Sequence, residues 1–345
     1  MRLVTPLLKR AVYPTLHRTG WLGRMTPPRG YAVVNYHGVV PSGYSSEEPF
    51  LDGNLIEAPV LRQQLRFLKS CYRVISPEEF RAWVQEGKPI PPSSVLITCD
   101  DGLANTLTDM LPVLQEEAVP CLFFVTASSA AAATGMLWYE EVHHLMRKSP
   151  LSAEILQALP PGEGEAYSRL NCQAQWWSIV KRASQMDAES RAQWIGSVRK
   201  EAGPVPLLDE SRWRLLNAAG LRKLSEAGMT IGAHTRTHPI LSLSSEAEAR
   251  REIRDCKVEI ERVLGQTIWA FAYPFGNPAT MGEREFRLAR DAGYTCAFLN
   301  VEDWAGQESN ALALPRTHVT ADMTLAELAA HLSGLHMRLR SAVGA

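Results

Sequence analysis

No two of the six cysteines, at positions 71, 99, 121, 172, 256 and 296, form a C-x-x-C pair. In a chain of 345 residues that scatter excludes a disulfide framework and a paired-cysteine metal or redox motif, and it implies reduced thiols in a cytosolic setting. No uninterrupted apolar run is long enough for a signal-peptide core or a membrane span. Charge of either sign is not in excess: the net value of -1 gives no global footing for nucleic acid. Internal repeats are absent, and low complexity is confined to Ala130–Ala133. Acidic residues are missing from residues 1–30, which carry Arg2, Lys9, Arg10, Arg18, Arg24 and Arg29 among Leu7, Leu8, Val12, Tyr13, Leu16, Trp21 and Leu22. Such a stretch reads either as a basic lead-in packed on the domain or as a segment lying on an anionic membrane surface.

What is present suits a soluble globular protein with a sizeable core: 46% hydrophobic and 21% charged residues. Strand-like and helix-like runs alternate. Tyr31–Tyr36 is strand-like, Ala58–Ser70 carries Leu61, Leu65 and Leu68 at helical spacing, and Tyr72–Ile75 is short and β-branched. Pro77 opens the next helix, where its missing N–H costs nothing. Val95–Cys99 and Cys121–Val125 are apolar runs of the kind buried on both faces, with helical Thr106–Glu117 between them. Ser245-x-x-Glu248 reads as a capping box for a helix with Ile253, Cys256, Ile260 and Leu264 on one face. Strands near Met229–Ala233, Trp269–Tyr273, Thr295–Leu299 and Leu312–His318, and helices near Glu283–Ala292 and Leu325–Arg338, continue the alternation. The pattern predicts an α/β fold with a parallel sheet, open or closed into a barrel. The interval 127–208 breaks the rhythm, being helical and rich in tryptophan (Trp138, Trp176, Trp177, Trp194). It reads as an insertion within one domain spanning 31–345, because its ends must return to neighbouring strands.

The chemistry lies at two strand ends. Asp100-Asp101-Gly102 follows the run Ser-Val-Leu-Ile-Thr-Cys. Adjacent side chains on a strand point to opposite faces, so both carboxylates serve one site only if the strand ends in a turn, which Gly102 permits. Parallel α/β proteins place active sites at such ends, although the same residues also suit a helix N-terminus. His234-Thr-Arg-Thr-His238-Pro239 ends the strand at Met229–Ala233. A regular strand would hold the two histidines roughly 13 Å apart, so chelation of one ion requires a turn. Together these residues offer a carboxylate and two imidazoles for a divalent cation, with a second carboxylate to handle a proton. His37, in Asn35-Tyr-His-Gly38, lies at the end of the first strand, where it lines a pocket or fills the core. Trp138 and Tyr139 are candidates to stack on a sugar, and His143-His144 reads as a surface pair on a helix.

Thr98-Cys-Asp-Asp-Gly102 and His234-Thr-Arg-Thr-His238 resemble the first two signature motifs of the polysaccharide deacetylases, the family-four carbohydrate esterases with a NodB homology domain. Asn105-x6-Pro112-x-Leu114, Cys121-Leu-Phe-Phe-Val125, Gly232-Ala-His-Thr and Phe271-Ala-Tyr-Pro-Phe-Gly276 extend the resemblance over most of 31–125 and 220–320. It implies a distorted (β/α) barrel and a metal-dependent hydrolase that removes an N-acetyl group from an amino sugar of a glycan or lipid-linked precursor. It further implies Asp101, His234 and His238 as metal ligands, Asp100 as general base, and the N–H of Phe275, in the Tyr273-Pro274-Phe275 segment, as an oxyanion donor. Zn²⁺ suits the nitrogen and oxygen ligands. A deformylase or amidase on a lipid-linked sugar, and a silent carbohydrate-binding domain, are the alternatives.

The sequence departs from the family pattern in three places. Cys99 stands where an aromatic residue is frequent. Ala272 stands where the family often has an arginine that steadies the base, and Arg316, in Leu314-Pro-Arg-Thr-His318, is the candidate replacement. His318 is the candidate general acid, with Asp303-Trp304 resembling the aspartate motif that accompanies it, but its usual aliphatic context is missing. The expected location is cytoplasmic, with peripheral contact to the inner membrane through residues 1–30.

Overall fold

Uninterrupted apolar runs need cover on both faces, and the computed structural model supplies it. The structure describes residues 8–24, 30–46, 48–127, 135–162, 167–203, 210–277, 280–306 and 309–342. Ala130–Ala133 and parts of the basic lead-in and of the insertion lie outside the described residues. The strands are β1 (Ala32–Tyr36), β2 (Gly38–Val40), β3 (Leu55–Glu57), β4 (Arg73–Val74), β5 (Ser94–Cys99), β6 (Leu122–Val125), β7 (Thr230–Ala233), β8 (Ala270–Ala272), β9 (Cys296–Phe298) and β10 (Thr317–His318). The main sheet runs β10-β1-β5-β6-β7-β8-β9, with β4 added beside the start of β5, and its pairings are parallel. Every residue of β1, β5 and β6 is buried.

The sheet curls into a distorted barrel whose two ends meet at one segment. Leu314 exchanges hydrogen bonds with β9 and its flank (to Ala297 O, 2.9 Å, and from Leu299 N, 2.8 Å), while Val319 N–H reaches Asn35 O of β1 (2.9 Å). The expected strand Leu312–His318 therefore exists as a bridge-like seam, of which only Thr317–His318 is regular strand. Strand periodicity then sorts the side chains. Val33, Leu96, Leu122, Phe124, Ala272, Phe298 and Leu314 form one inner cluster. Asn35, Thr98, Asp100, His234 and Arg316 continue the same parity toward the C-terminal ends of their strands. Gly232 belongs to this set because an added Cβ would lie 2.6 Å from the Phe124 ring.

Helices cover the outer face with the larger core. The expected helix at Thr106–Glu117 starts as a π-type turn, Thr106–Met110, and becomes regular over Leu111–Glu116, consistent with Pro112 removing a helical N–H. Ser245 caps its helix by accepting from Glu248 N (3.2 Å), but the Glu248 carboxylate turns to Ala188 N (2.8 Å) and Arg251, so the capping box is half made. The last helix is two, Leu325–Leu332 and Leu335–Ala342, broken where Gly334 takes a φ of 72°. The insertion is helical as expected, with Trp138–Lys148, Ala153–Gln157, Cys172–Ala183 and Ala188–Ala202 sharing a core of Trp138, Val142, Trp176, Ile179 and Trp194.

The lead-in packs on the domain: Tyr13 and Leu22 are fully buried, and Tyr13 OH is 2.8 Å from His336 Nδ1. Lys9 pairs with Glu327 (2.7 Å), which lies 3.9 Å from His331, itself 2.6 Å from Glu302. Burial pulls the His331 imidazole down, but the hydrogen bond to Glu302 and the nearby Glu327 carboxylate outweigh it and raise the group to about 8. A raised folded value stabilises most below the unfolded value and fades as pH rises through the folded one. This corner accordingly contributes up to about 2 kcal/mol below pH 6.5 that is lost through about pH 8. Melting temperature should fall more between pH 6 and 9 for the native chain than for His331→Gln, and parallel curves would refute the linkage.

Candidate active site and metal centre

Strand β5 delivers Asp100 inward and then stops. Asp101 and Gly102 take left-handed conformations (φ 73° and 76°), and Gly102 N–H closes the turn on Asp100 O (3.0 Å). That turn aims the two adjacent carboxylates differently. Asp100 meets Arg316 in a two-pronged pair, Nη1 to Oδ1 at 2.7 Å and Nη2 to Oδ2 at 2.6 Å, and Asn35 Nδ2 adds a third donor at 3.0 Å. Arg316 is fully buried and is fixed in turn by Leu299 O (2.8 Å) and Asn35 Oδ1 (3.0 Å). Burial pushes the Asp100 carboxyl up, but Arg316 and then His234 outweigh it and hold it below the ordinary carboxylate value. A carboxylate has about four lone-pair sites, so one on Oδ1 stays open for a proton.

Asp101 faces the histidines. Its Oδ1 lies 3.4 Å from His234 Nε2 and 3.3 Å from His238 Nε2. The turn demanded by their spacing is made by Thr235 and His238, at φ 63° and 62°, which brings the imidazole centroids to 4.8 Å. His234 Nδ1 lies 2.7 Å from Ala272 O, an acceptor only, so that nitrogen carries a proton and Nε2 is the one placed to ligate. The ligand atoms of Asp101, His234 and His238 all fall within 4.8 Å of one another and are buried. Tetrahedral ligands about 2.1 Å from a Zn²⁺ ion would stand about 3.4 Å apart. The observed spacing and the donor set of one carboxylate and two imidazoles fit a divalent cation.

A brace from the insertion holds the histidine loop. Glu252 accepts from Thr237 N (2.8 Å) and Thr237 Oγ1, and buried Arg191 pairs with Glu252 at 3.4 Å and also donates to Thr237 Oγ1. Trp138 Nε1 donates to His238 O (3.3 Å). Outer supports of this kind typically carry 10–100-fold in metal affinity. Arg191→Met should weaken divalent-metal binding by about that factor, read by competition with a chelating dye.

A family model described as polysaccharide deacetylase matches residues 87–297, more than half of the chain. The chain belongs to the polysaccharide deacetylase family. Among curated proteins it is similar to the poly-beta-1,6-N-acetyl-D-glucosamine N-deacetylase of Escherichia coli K12, 26% identical over 98 residues, which are 28% of this chain and 14% of the relative. The match thus spans a small part of that protein's length. Two solved structures share the fold. A Streptococcus pyogenes deacetylase in complex with acetate has a TM-score of 0.56 at 17% identity, covering 88% of this chain and 99% of that one. IcaB from Ammonifex degensii also has a TM-score of 0.56 at 17% identity, covering 89% and 98%.

In this member of the family Asp101 of the metal-type triad lies at a cavity of about 590 Å³ whose walls also include His37, Tyr139, Trp176, Trp177 and Phe275. Of the sequence-expected residues, His37, Asp101 and Phe275 line this cavity. His37 lines the cavity, whereas His318 sits behind it, 4.7 Å between ring centroids. His318 Nε2 lies 3.0 Å from Asn54 Oδ1, and Asp303, the acid expected beside it, is solvent-exposed and accepts from Trp304 N. Burial, then the neighbouring His37, push His318 down to about 3, so it stands neutral. Tyr273 does not reach the cavity: its ring packs on Phe271 and Phe286, and its OH donates to Leu312 O (3.0 Å). Pro274 and Phe275 form the turn after β8, with Phe275 at φ 60° and its ring 5.0 Å from that of His238. Tyr139 stands 5.2 Å from His238, while Trp138 is buried in the insertion core. His143 and His144 are not a solvent-facing pair, because His144 is buried with its ring 4.3 Å from that of Trp213.

Sequence reasoning missed Asn35, Asp52, Glu140 and Arg212. Asn35 was within reach, lying at the same strand end as His37 with inward parity. The other three come from separate segments and meet only in the fold.

Proposed function

We propose that this chain is a metal-dependent hydrolase that removes an N-acetyl group from an amino sugar, with Zn²⁺ held by Asp101, His234 and His238. The observation carrying this reading is the convergence of three ligand atoms, with Asp101 at the wall of a cavity, beside a second, separately clamped carboxylate. When bound, the ion would polarise the acyl carbonyl and lower the pKa of water from about 15.7 towards about 7. The protein's own groups do the rest. Asp100 Oδ1 takes the proton of the attacking water, a step typically contributing about 10²–10⁴-fold. The Phe275 N–H donates to the developing oxyanion, while the committed Gly276 N–H binds Pro274 O (2.7 Å). Asp100, protonated in that step, returns the proton to the leaving nitrogen, and His37 lines the cavity wall with His318 edge-to-face behind it.

The substrate is read from the wall chemistry and from the relative's poly-N-acetylglucosamine. Aromatic faces from Tyr139, Trp176 and Trp177 suit sugar rings. The test is acetate and formate release from soluble, polymeric and lipid-linked N-acyl sugars by the zinc-loaded chain. Acetate supports the reading, formate alone supports a deformylase, and neither from a chain that binds zinc supports a silent carbohydrate binder. The cytoplasmic location and membrane contact belong to the same proposal. Arg10, Arg18 and Trp21 are exposed on the lead-in. Charge reversal at Arg10 and Arg18 should reduce sedimentation with anionic vesicles, and unchanged sedimentation would remove the membrane element.

A further inference from the structure

The cavity has a charged corner that the chemistry above does not use. Arg212, from the short helix Glu210–Trp213, donates through Nε to Asp52 Oδ1 and through Nη2 to Glu140 Oε1 (3.4 Å). Asp52 is itself fixed by Ser46 Oγ (2.6 Å) and Tyr44 OH (3.1 Å). The guanidinium lies 3.7 Å over the Trp213 ring. Glu140 is 5% and Arg212 1% exposed, and both line the same cavity as Asp101 and His37.

This ion group is incomplete as a purely structural one. Glu140 Oε2 and Arg212 Nη1 are buried with no hydrogen-bond partner among the described residues. Leaving one unmet atom on each side of a buried charge pair is costly, and a group kept only for stability would be replaced by apolar packing at little loss. Asp52, by contrast, is fully engaged and acts to hold the Arg212 fork in place. The two unmet atoms are complementary, one a donor and one an acceptor. A single hydroxyl satisfies both by accepting from Nη1–H and donating to Oε2. An anion is disfavoured, because Asp52 and Glu140 already surround the one guanidinium.

We infer that Glu140 and Arg212 are specificity-determining residues that read one hydroxyl of the sugar seated in the cavity, an inference that rests on the deacetylase reading above. Three chain segments build this reader: the loop carrying Asp52, the insertion helix carrying Glu140, and the helix carrying Arg212. The insertion therefore contributes selectivity to the barrel's chemistry.

The test pairs a substrate change with a protein change. The probes are the methyl glycoside of N-acetyl-D-glucosamine and its monodeoxy analogues, assayed for acetate release with the zinc-loaded native chain and with Glu140→Gln. Sites built around a substrate hydroxyl reject the analogue lacking it strongly. One analogue should lose at least about 10²-fold in kcat/KM with the native chain. In Glu140→Gln the parent's KM should rise until that gap shrinks at least tenfold, with zinc content and melting temperature close to native. If the glutamine variant does not fold, Arg212→Lys, which keeps the charge and removes the fork, should narrow the same gap. Equal handling of all analogues, or a gap that survives in the variant, overturns the subsite. A zinc-loaded native chain that releases no acetate from the parent glycoside overturns the sugar reading first, and the subsite with it.

Discussion

Asp100→Asn should lower acetate release by about 10²–10⁴-fold while the chain still binds one zinc ion. The asparagine occupies the same space and leaves Asp101, His234 and His238 untouched, so metal binding and base function separate. The amide cannot take up a proton, and one of its two ends now presents a donor to the Arg316 fork. Loss of the carboxylate also leaves the fully buried Arg316 short of its counter-charge, although Leu299 O and Asn35 Oδ1 remain. A lower melting temperature is therefore expected alongside lost turnover, and assays belong well below the unfolding range. Activity within a few-fold of native in a folded, zinc-loaded Asp100→Asn protein would remove Asp100 from the role of base.

The second large effect is on stability. Arg316→Gln should cost about 3–5 kcal/mol, read as a drop in the denaturant midpoint, because it strands a buried carboxylate. The magnitude follows from the geometry: the guanidinium is fully buried, makes a two-pronged pair with Asp100, and ties β1, β5 and the seam at 314–318 together through Asn35 and Thr98. Arg316→Lys should recover only part of it, because an ammonium cannot span both carboxylate oxygens in one plane. A loss under about 1 kcal/mol would show the pair to be as weak as an exposed surface contact. Arg316 thus clamps Asp100 from the seam, and the Ala272 carbonyl meets His234 Nδ1.

The meeting of these side chains at one place was legible because their signal is local. An acidic pair ending an apolar strand, and two histidines that only a turn can unite, carry their geometry in their spacing. The turns at Asp101, Thr235 and His238 supply what that spacing demanded. Barrel closure was less legible. The run 312–318 looks like one strand in sequence, yet most of it is a seam that changes partner from β9 to β1. Tyr273 follows the inward-facing Ala272 on the same chain, and the period of two turns it outward into the helical layer. His318, the candidate acid by family resemblance, lies behind His37, which lines the cavity. The Asp52–Glu140–Arg212 corner had no local signal, since its members lie 160 and 72 residues from Arg212.

The central claim is that two adjacent aspartates do different work, one on the metal and one on the proton. Zinc titration of Asp100→Asn and Asp101→Asn, side by side by calorimetry, tests it most directly. The account predicts near-native binding of one ion by Asp100→Asn and a loss of at least about tenfold in affinity for Asp101→Asn. Equal affinity in the two variants, or the reverse order, would contradict it.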